Sequence, residues 1–126
     1  MPVRVELTRQ AAEDLARYAE SGNLRAFLRK LVYLEAGGKD AGLPLGGSLS
    51  GWRKLVVGDR NWRIIYRMSA DDTVATVWVI GDRADAECYA EAQRRIQQLG
   101  RGRPEVESLA AVMLHLGERR ERRRPR

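Results

Sequence analysis

Between Trp52 and Ile80 the chain reads WRKLVV, then WRIIYRM, then VATVWVI, with the short polar connections GDRN and SADD between them. Segments this rich in β-branched and aromatic residues, separated by so few turn-forming residues, leave little choice of local fold. They predict three consecutive strands, Trp52–Val57, Trp62–Met68 and Val74–Ile80, folded as an antiparallel meander. Strand alternation then sorts the side chains. Trp52, Lys54 and Val56 share one face of the first strand, and Arg53, Leu55 and Val57 the other. On the second, Trp62, Ile64, Tyr66 and Met68 make a core face opposite Arg63, Ile65 and Arg67. Arg63 and Arg67 therefore belong to the open face, and Lys54 joins them if the hairpin register allows it.

The segments on either side give the remaining elements. Val3–Leu7 (VRVEL) alternates like a half-buried strand. Thr8 is placed to cap a helix over Arg9–Glu20 with Ala11, Ala12, Leu15 and Ala19 inward, and Ser21-Gly22-Asn23 breaks it. Leu24, Phe27, Leu28, Leu31 and Leu34 form the stripe of a second helix ended by Gly37-Gly38, so the two helices predict an antiparallel hairpin. Asp40–Ser50 reads as loop. Arg83–Leu99 reads as a helix with Cys88, Ala92, Ile96 and Leu99 inward. The order β-α-α-β-β-β-α describes a small α+β domain with its helices on one face of the sheet. Residues 1–100 make up this domain and 101–104 a Gly/Pro-containing linker. An extra amphipathic helix follows over 105–117, striped by Val106, Leu109, Val112, Met113 and Leu116. An Arg-rich tail over 118–126 is expected to be disordered.

Composition narrows the function. Among 126 residues there is one cysteine, Cys88, and one histidine, His115. An internal disulfide is impossible, and a cysteine-rich or histidine-cluster metal site or a histidine triad is not expected. No cofactor is implied. The apolar runs are too short to cross a bilayer, and MPVRVELT has no apolar export core, so a cytoplasmic protein is expected. The last nine residues, ERRERRRPR, hold six Arg and two Glu, so most of the formal net charge of +6 sits in the tail. Such a tail binds polyanions without sequence preference.

Arginines on an antiparallel sheet have an ordinary explanation, because such a sheet often keeps one wet face. A functional site needs more cations or polar groups converging from elsewhere. Asp82-Arg83, just after the last strand, and Tyr89, about two turns into the following helix, are the candidates.

Element order and residues together resemble the RelE/ParE toxin superfamily, and within it the RelE branch of ribosome-dependent mRNA-cleaving toxins. The similarity covers roughly Val3 to Leu99. It is sharpest in LSGWRKL, NWRIIYRM, VATVWVIGDR and ECYAEAQRRI, between Leu49 and Ile96. Carried over by position, the resemblance implies a RelE-like fold with catalytic Lys54, Arg63, Arg83 and Tyr89; the neighbouring Arg53, Arg60 and Arg67 are candidate RNA contacts. It implies a metal-independent endoribonuclease, the toxin of a type II toxin–antitoxin system, cutting mRNA in the ribosomal A site and neutralised by a cognate antitoxin. Val56 departs from the pattern, because relatives often carry a second lysine there. The resemblance leaves two alternatives open: a ParE-like DNA gyrase poison, and a degenerate member that binds only antitoxin or nucleic acid.

The implied cleavage yields a 2′,3′-cyclic phosphate and a free 5′-hydroxyl. Histidine usually handles such proton transfers, but the lone His115 lies outside the matched region. Arg63 would then hold the phosphate and its transition state through charge-assisted bonds. Tyr89 would act as base or orient it, Lys54 would stabilise charge, and Arg83 would assist the leaving oxygen. A crowd of cations is expected to lower a Lys or Tyr pKa. Positioning by the ribosome would supply much of the rate, since orientation alone is worth about 7–11 kcal/mol. Cys88 is expected in the core, His115 at the surface, and Trp52, Trp62 and Trp78 in packing. The C-terminal helix is a candidate dimer contact.

Overall fold

The structure, a computed structural model, describes residues 2–45, 51–58, 62–81 and 85–123. Its six strands are β1 (Arg4–Thr8), β2 (Leu43–Pro44), β3 (Trp52–Val57), β4 (Trp62–Met68), β5 (Val74–Gly81) and β6 (Val106–Ser108). They form one sheet in the order β2-β3-β4-β5-β1-β6. The meander β3-β4-β5 is antiparallel as expected. β1 lies parallel to β5, from Arg4 opposite Val74 to Leu7 opposite Val77. The helical hairpin that follows β1, α1 (Arg9–Glu20) and α2 (Leu24–Gly37), lies in the long connection a parallel pairing needs.

Helix α1 (Arg9–Glu20) starts where Thr8 accepts a hydrogen bond from the Ala11 amide, and α2 (Leu24–Gly37) ends at Gly38, with φ 60°. Phe27, Leu31 and Leu34 of α2 and Ala11 and Leu15 of α1 bury against Leu55, Val57, Ile64, Tyr66 and Val77. The hairpin thus covers the face assigned to the core from strand alternation. Helix α3 (Asp85–Leu99) corrects the expectation that all helices share that face. Cys88 and Ala92 bury instead with Trp52, Ile65, Trp78 and Val79, on the opposite face. The cause is in β4 and β5: Ile65 lies among the arginines, and a register shift at Ile65/Tyr66 leaves Trp78 as an extra residue. That bulge turns both Trp78 and Val79 toward the second face, and this apolar surface requires a cover.

The C-terminal segment also differs from the expected helix over 105–117. Its first residues form β6, paired antiparallel with β1, and Ser108 accepts a hydrogen bond from the Ala111 amide at 3.1 Å to start helix α4 (Leu109–Arg123). β1 would otherwise leave a strand edge unpaired, and a three-residue strand closes it. Leu109, Val112 and Leu116 join the hairpin-side core. The helix continues through Arg123 into the segment expected to be disordered, helped by the high helix propensity of Arg and Glu.

The β4–β5 turn is held by an exposed carboxylate. Asp71 accepts hydrogen bonds from the Ser69 hydroxyl, the Thr73 amide and the Thr73 hydroxyl, at 2.7, 3.1 and 2.7 Å. These bonds, first to Thr73 and then to Ser69, lower its pKa from 3.8 to about 2. A depressed carboxylate stabilises the fold above the unfolded pKa and loses that contribution as pH falls through the folded one. We expect the turn to loosen between about pH 4 and pH 2. An NMR titration of Asp71 should have its midpoint near 2, and the S69A/T73V double variant should move it back toward 3.8. An unchanged midpoint in that variant would contradict the assignment.

Candidate functional site

The β3–β4 register decides which cations meet. Lys54 stands opposite Ile65, Val56 opposite Arg63 and Trp52 opposite Arg67. Directly opposed residues point to the same face, so Lys54, Arg63 and Arg67 lie together on the side where α3 packs. On β5, Arg63 pairs with Gly81. Arg63 therefore stands between an aliphatic residue and a residue with no side chain. Its Nη1 donates to the Trp62 carbonyl at 3.1 Å, and the side chain is half-buried. Tyr89 enters the same face from α3, half-buried against the cluster that contains Ile65.

Lys54 is positioned through its backbone. β2 pairs with β3 there, Leu43 opposite Lys54. The adjoining Gly42 passes so close that a Cβ would lie 2.5 Å from the Lys54 carbonyl oxygen and 2.6 Å from the Tyr66 hydroxyl. Only a glycine fits this crossing. On the far side of the strand, Arg53 donates to the Gly42 carbonyl at 2.8 Å and Tyr66 to the Lys39 carbonyl at 3.4 Å. Burial raises the Tyr66 pKa, against the opposing pull of the Arg53 hydrogen bond and charge.

Of the expected RNA contacts, Arg53 is thus on the hairpin side, away from Lys54 and Arg63, where it ties the Gly42 loop to Tyr66. Arg67 does share the face and lies over the Trp52 ring, 5.6 Å from its centroid. Arg83 and Arg60 lie outside the described residues. Cys88 is buried. Trp52 and Trp78 pack edge to face at 5.4 Å, whereas Trp62 leans on Phe27 at 5.2 Å. His115 meets Glu107 at 3.0 Å on the surface.

A cleft of about 710 Å³ opens at the Arg63 end of the sheet, lined by Trp62, Gly81 and Cys88, by Tyr18 and Arg17 of α1, and by Arg94 of α3. Its floor is a buried ion cluster that strand and helix periodicity did not disclose. Arg95 Nη1 and Nη2 donate to Asp14 Oδ2 and Oδ1 at 2.8 and 3.1 Å. Asp14 also accepts the Ile80 amide at 3.0 Å, and Arg95 donates to the Trp78 carbonyl at 2.7 Å and to Glu91 at 2.8 Å. Arg17 pairs with Asp14 and Arg94 with Glu91 at the rim. β1 ends its pairing at Val77, and Asp14 and Arg95 satisfy the β5 edge beyond it. The available signal was a charged residue on an otherwise apolar stripe, Asp14 beside Ala11 and Leu15, Arg95 beside Ala92 and Ile96.

Among the described residues no group of three or more His, Cys, Asp or Glu side chains is placed to hold a metal ion. No helix there is long and apolar enough to cross a membrane.

The fold and this face define a class: an α+β domain whose sheet carries clustered cations under a tyrosine-bearing helix. Solved structures place the fold as RelE-like. The toxin–antitoxin complex RelBE2 from Mycobacterium tuberculosis is similar at 23% identity and a TM-score of 0.55, over 66% of this chain and 100% of that one. A mutant of the Escherichia coli toxin RelE in the free state is similar at 21% identity and a TM-score of 0.59, over 76% and 99%. The same mutant bound to an antitoxin RelB peptide gives 18% identity and 0.51, over 73% and 95%. No family model and no curated protein sequence matches.

Proposed function

We propose that this protein is the toxin of a type II toxin–antitoxin pair and an endoribonuclease that cleaves mRNA in the ribosomal A site. One observation carries the reading. Within a RelE-like fold, the strand register gathers Lys54 and Arg63 on one face beneath the helix that bears Tyr89. Arg63 is suited to grip the scissile phosphate with its planar donor fork. Lys54 adds charge for the phosphorane, and Tyr89 activates or orients the 2′-hydroxyl. The cleft beside Arg63 gives the strand room on either side of the cut. Two of the similar solved structures contain antitoxin, and a cognate antitoxin is the partner assigned to this chain.

Mapping transcript ends after induction in a bacterial host tests the reading: codon-spaced cuts are the expected result. A DNA-damage response without cuts would move the protein to the gyrase-poison class. Absence of both would leave a binding protein. Val56 gives that last reading its specific support, since an apolar side chain stands directly opposite Arg63. It also supplies a gain-of-function prediction. Val56→Lys places a second cation beside the phosphate position on a half-exposed strand site. It should raise cleavage in a ribosome-dependent assay by about tenfold, the equivalent of one charge-assisted contact of about 1.4 kcal/mol. A rate unchanged or lowered in a folded variant would show that the site does not use that position.

A further inference from the structure

We propose that the outer groove of the helical hairpin docks an amphipathic, acidic helix from a protein partner. The groove runs between the end of α1 and the first turns of α2, with a volume of about 760 Å³, lined by Ala19, Gly22, Leu24, Leu28 and Val32 and flanked by Arg25 and Arg29. Leu24 and Leu28 are half-buried, while Val32 is 51% exposed. The hairpin has already satisfied its inward stripe with Phe27, Leu31 and Leu34. An aliphatic strip on its outside therefore has no partner within the described fold.

Charge and shape select the occupant. Among the described residues no acidic side chain lines the groove, and two guanidinium groups stand one helical turn apart on its border. A helix with aliphatic residues at three- and four-residue spacing and carboxylates beside them matches both features. Leu24 to Val32 spans about 12 Å, enough for two turns of such a helix. RNA fits less well, because the floor is aliphatic and offers no aromatic ring for a base to stack on. A second copy of this chain would bring Arg25 and Arg29 against their own images across a two-fold axis, an arrangement of like charges that disfavours it.

The groove lies on the hairpin, with the sheet between it and the Lys54–Arg63 face. A partner bound there adds affinity and leaves the proposed cleavage face uncovered. The inference rests on the toxin reading only in naming that partner as the antitoxin; the chemistry of the surface does not depend on it.

The test uses the full chain and a fluorescein-labelled 15-residue helical peptide with Leu at i, i+3, i+4 and i+7 and Glu on its flanks. The same peptide with Lys in place of Glu, a ten-nucleotide oligouridine, and sedimentation of the protein alone are run beside it. The acidic peptide should bind, lose affinity as salt is raised, and bind the R25E/R29E and V32D variants at least tenfold more weakly. These variants should keep the parent melting temperature, because the substituted side chains are exposed. Acidic-peptide binding that the variants do not alter would overturn the proposal. So would preferential oligouridine binding abolished by R25E/R29E, or self-association abolished by V32D. Transcript mapping is read independently: its failure with peptide binding intact would refute the toxin reading and not the groove.

Discussion

Arg63→Ala is expected to lower ribosome-dependent mRNA cleavage by about 10²–10³-fold, the cost of removing one preorganised donor from a developing anionic centre. Its melting temperature should hold, because the side chain is only half-buried and its hydrogen bond to the Trp62 carbonyl spans a single residue. Arg53→Ala should give the opposite result. That guanidinium grips the Gly42 carbonyl at 2.8 Å and sits against Tyr66 on the other side of the sheet. Its loss should cost about 1–3 kcal/mol of stability, the penalty for a buried polar group left without its partner, with cleavage changed by less than tenfold. Two arginines on paired strands but opposite faces make a stringent comparison, because composition and net charge change identically in both variants. Calorimetry and a toeprinting assay on the two proteins give the comparison. Full growth inhibition by Arg63→Ala would remove it from the site, and loss of cleavage in a folded Arg53→Ala would move the active face to the hairpin side.

The contrast between these two arginines was half legible in the sequence. Period-two alternation puts Arg63 on the face opposite Ile64 and Tyr66 in β4 and Arg53 on the face opposite Lys54 in β3, and the strand bounds follow from the same local pattern. Which face of β3 joins Arg63 is set by the hairpin register. Thr8 and Gly37-Gly38 likewise bound their helices through chemistry contained in a few residues. What stayed hidden depends on contacts between distant segments. Nothing local pairs β1 with β5, and the bulge opposite Ile65 and Tyr66 changes faces in a way strict alternation does not foresee. α3 could not be assigned its side of the sheet without that bulge, because its cover is needed only where Trp78 and Val79 both emerge. Val106 continues the stripe of the following helix by spacing. It became a strand because the β1 edge was unoccupied, which no window around residue 106 contains.

Asp14→Ala is expected to destabilise the fold by about 3–5 kcal/mol, since it breaks a buried ion pair, leaves the Arg95 guanidinium two acceptors short and deprives the Ile80 amide of its acceptor. Against the 5–15 kcal/mol typical of a small domain this is severe, and the melting temperature should fall by roughly 10–20 °C. Arg95 and Asp14 are 8% and 2% exposed, so solvent offers little compensation to whichever partner remains. An ordinary buried pair can often be replaced by two apolar side chains at no net cost. This one differs because each member also closes the sheet: Asp14 accepts the Ile80 amide and Arg95 donates to the Trp78 carbonyl. The D14L/R95L double variant would leave both backbone groups unpaired beyond the end of β1, at about 1–3 kcal/mol each. It should therefore recover part of the single-variant loss and remain clearly below the parent in a denaturant melt. A double variant as stable as the parent would show that the β5 edge finds other partners. The coupling also reaches the site, because the cluster joins α1, β5 and α3. With Arg95 gone, the helix that carries Tyr89 keeps its apolar packing around Cys88, Ala92 and Ile96 but loses this ionic tie to α1 and β5, so hydrogen exchange in α3 should quicken before the hairpin core responds.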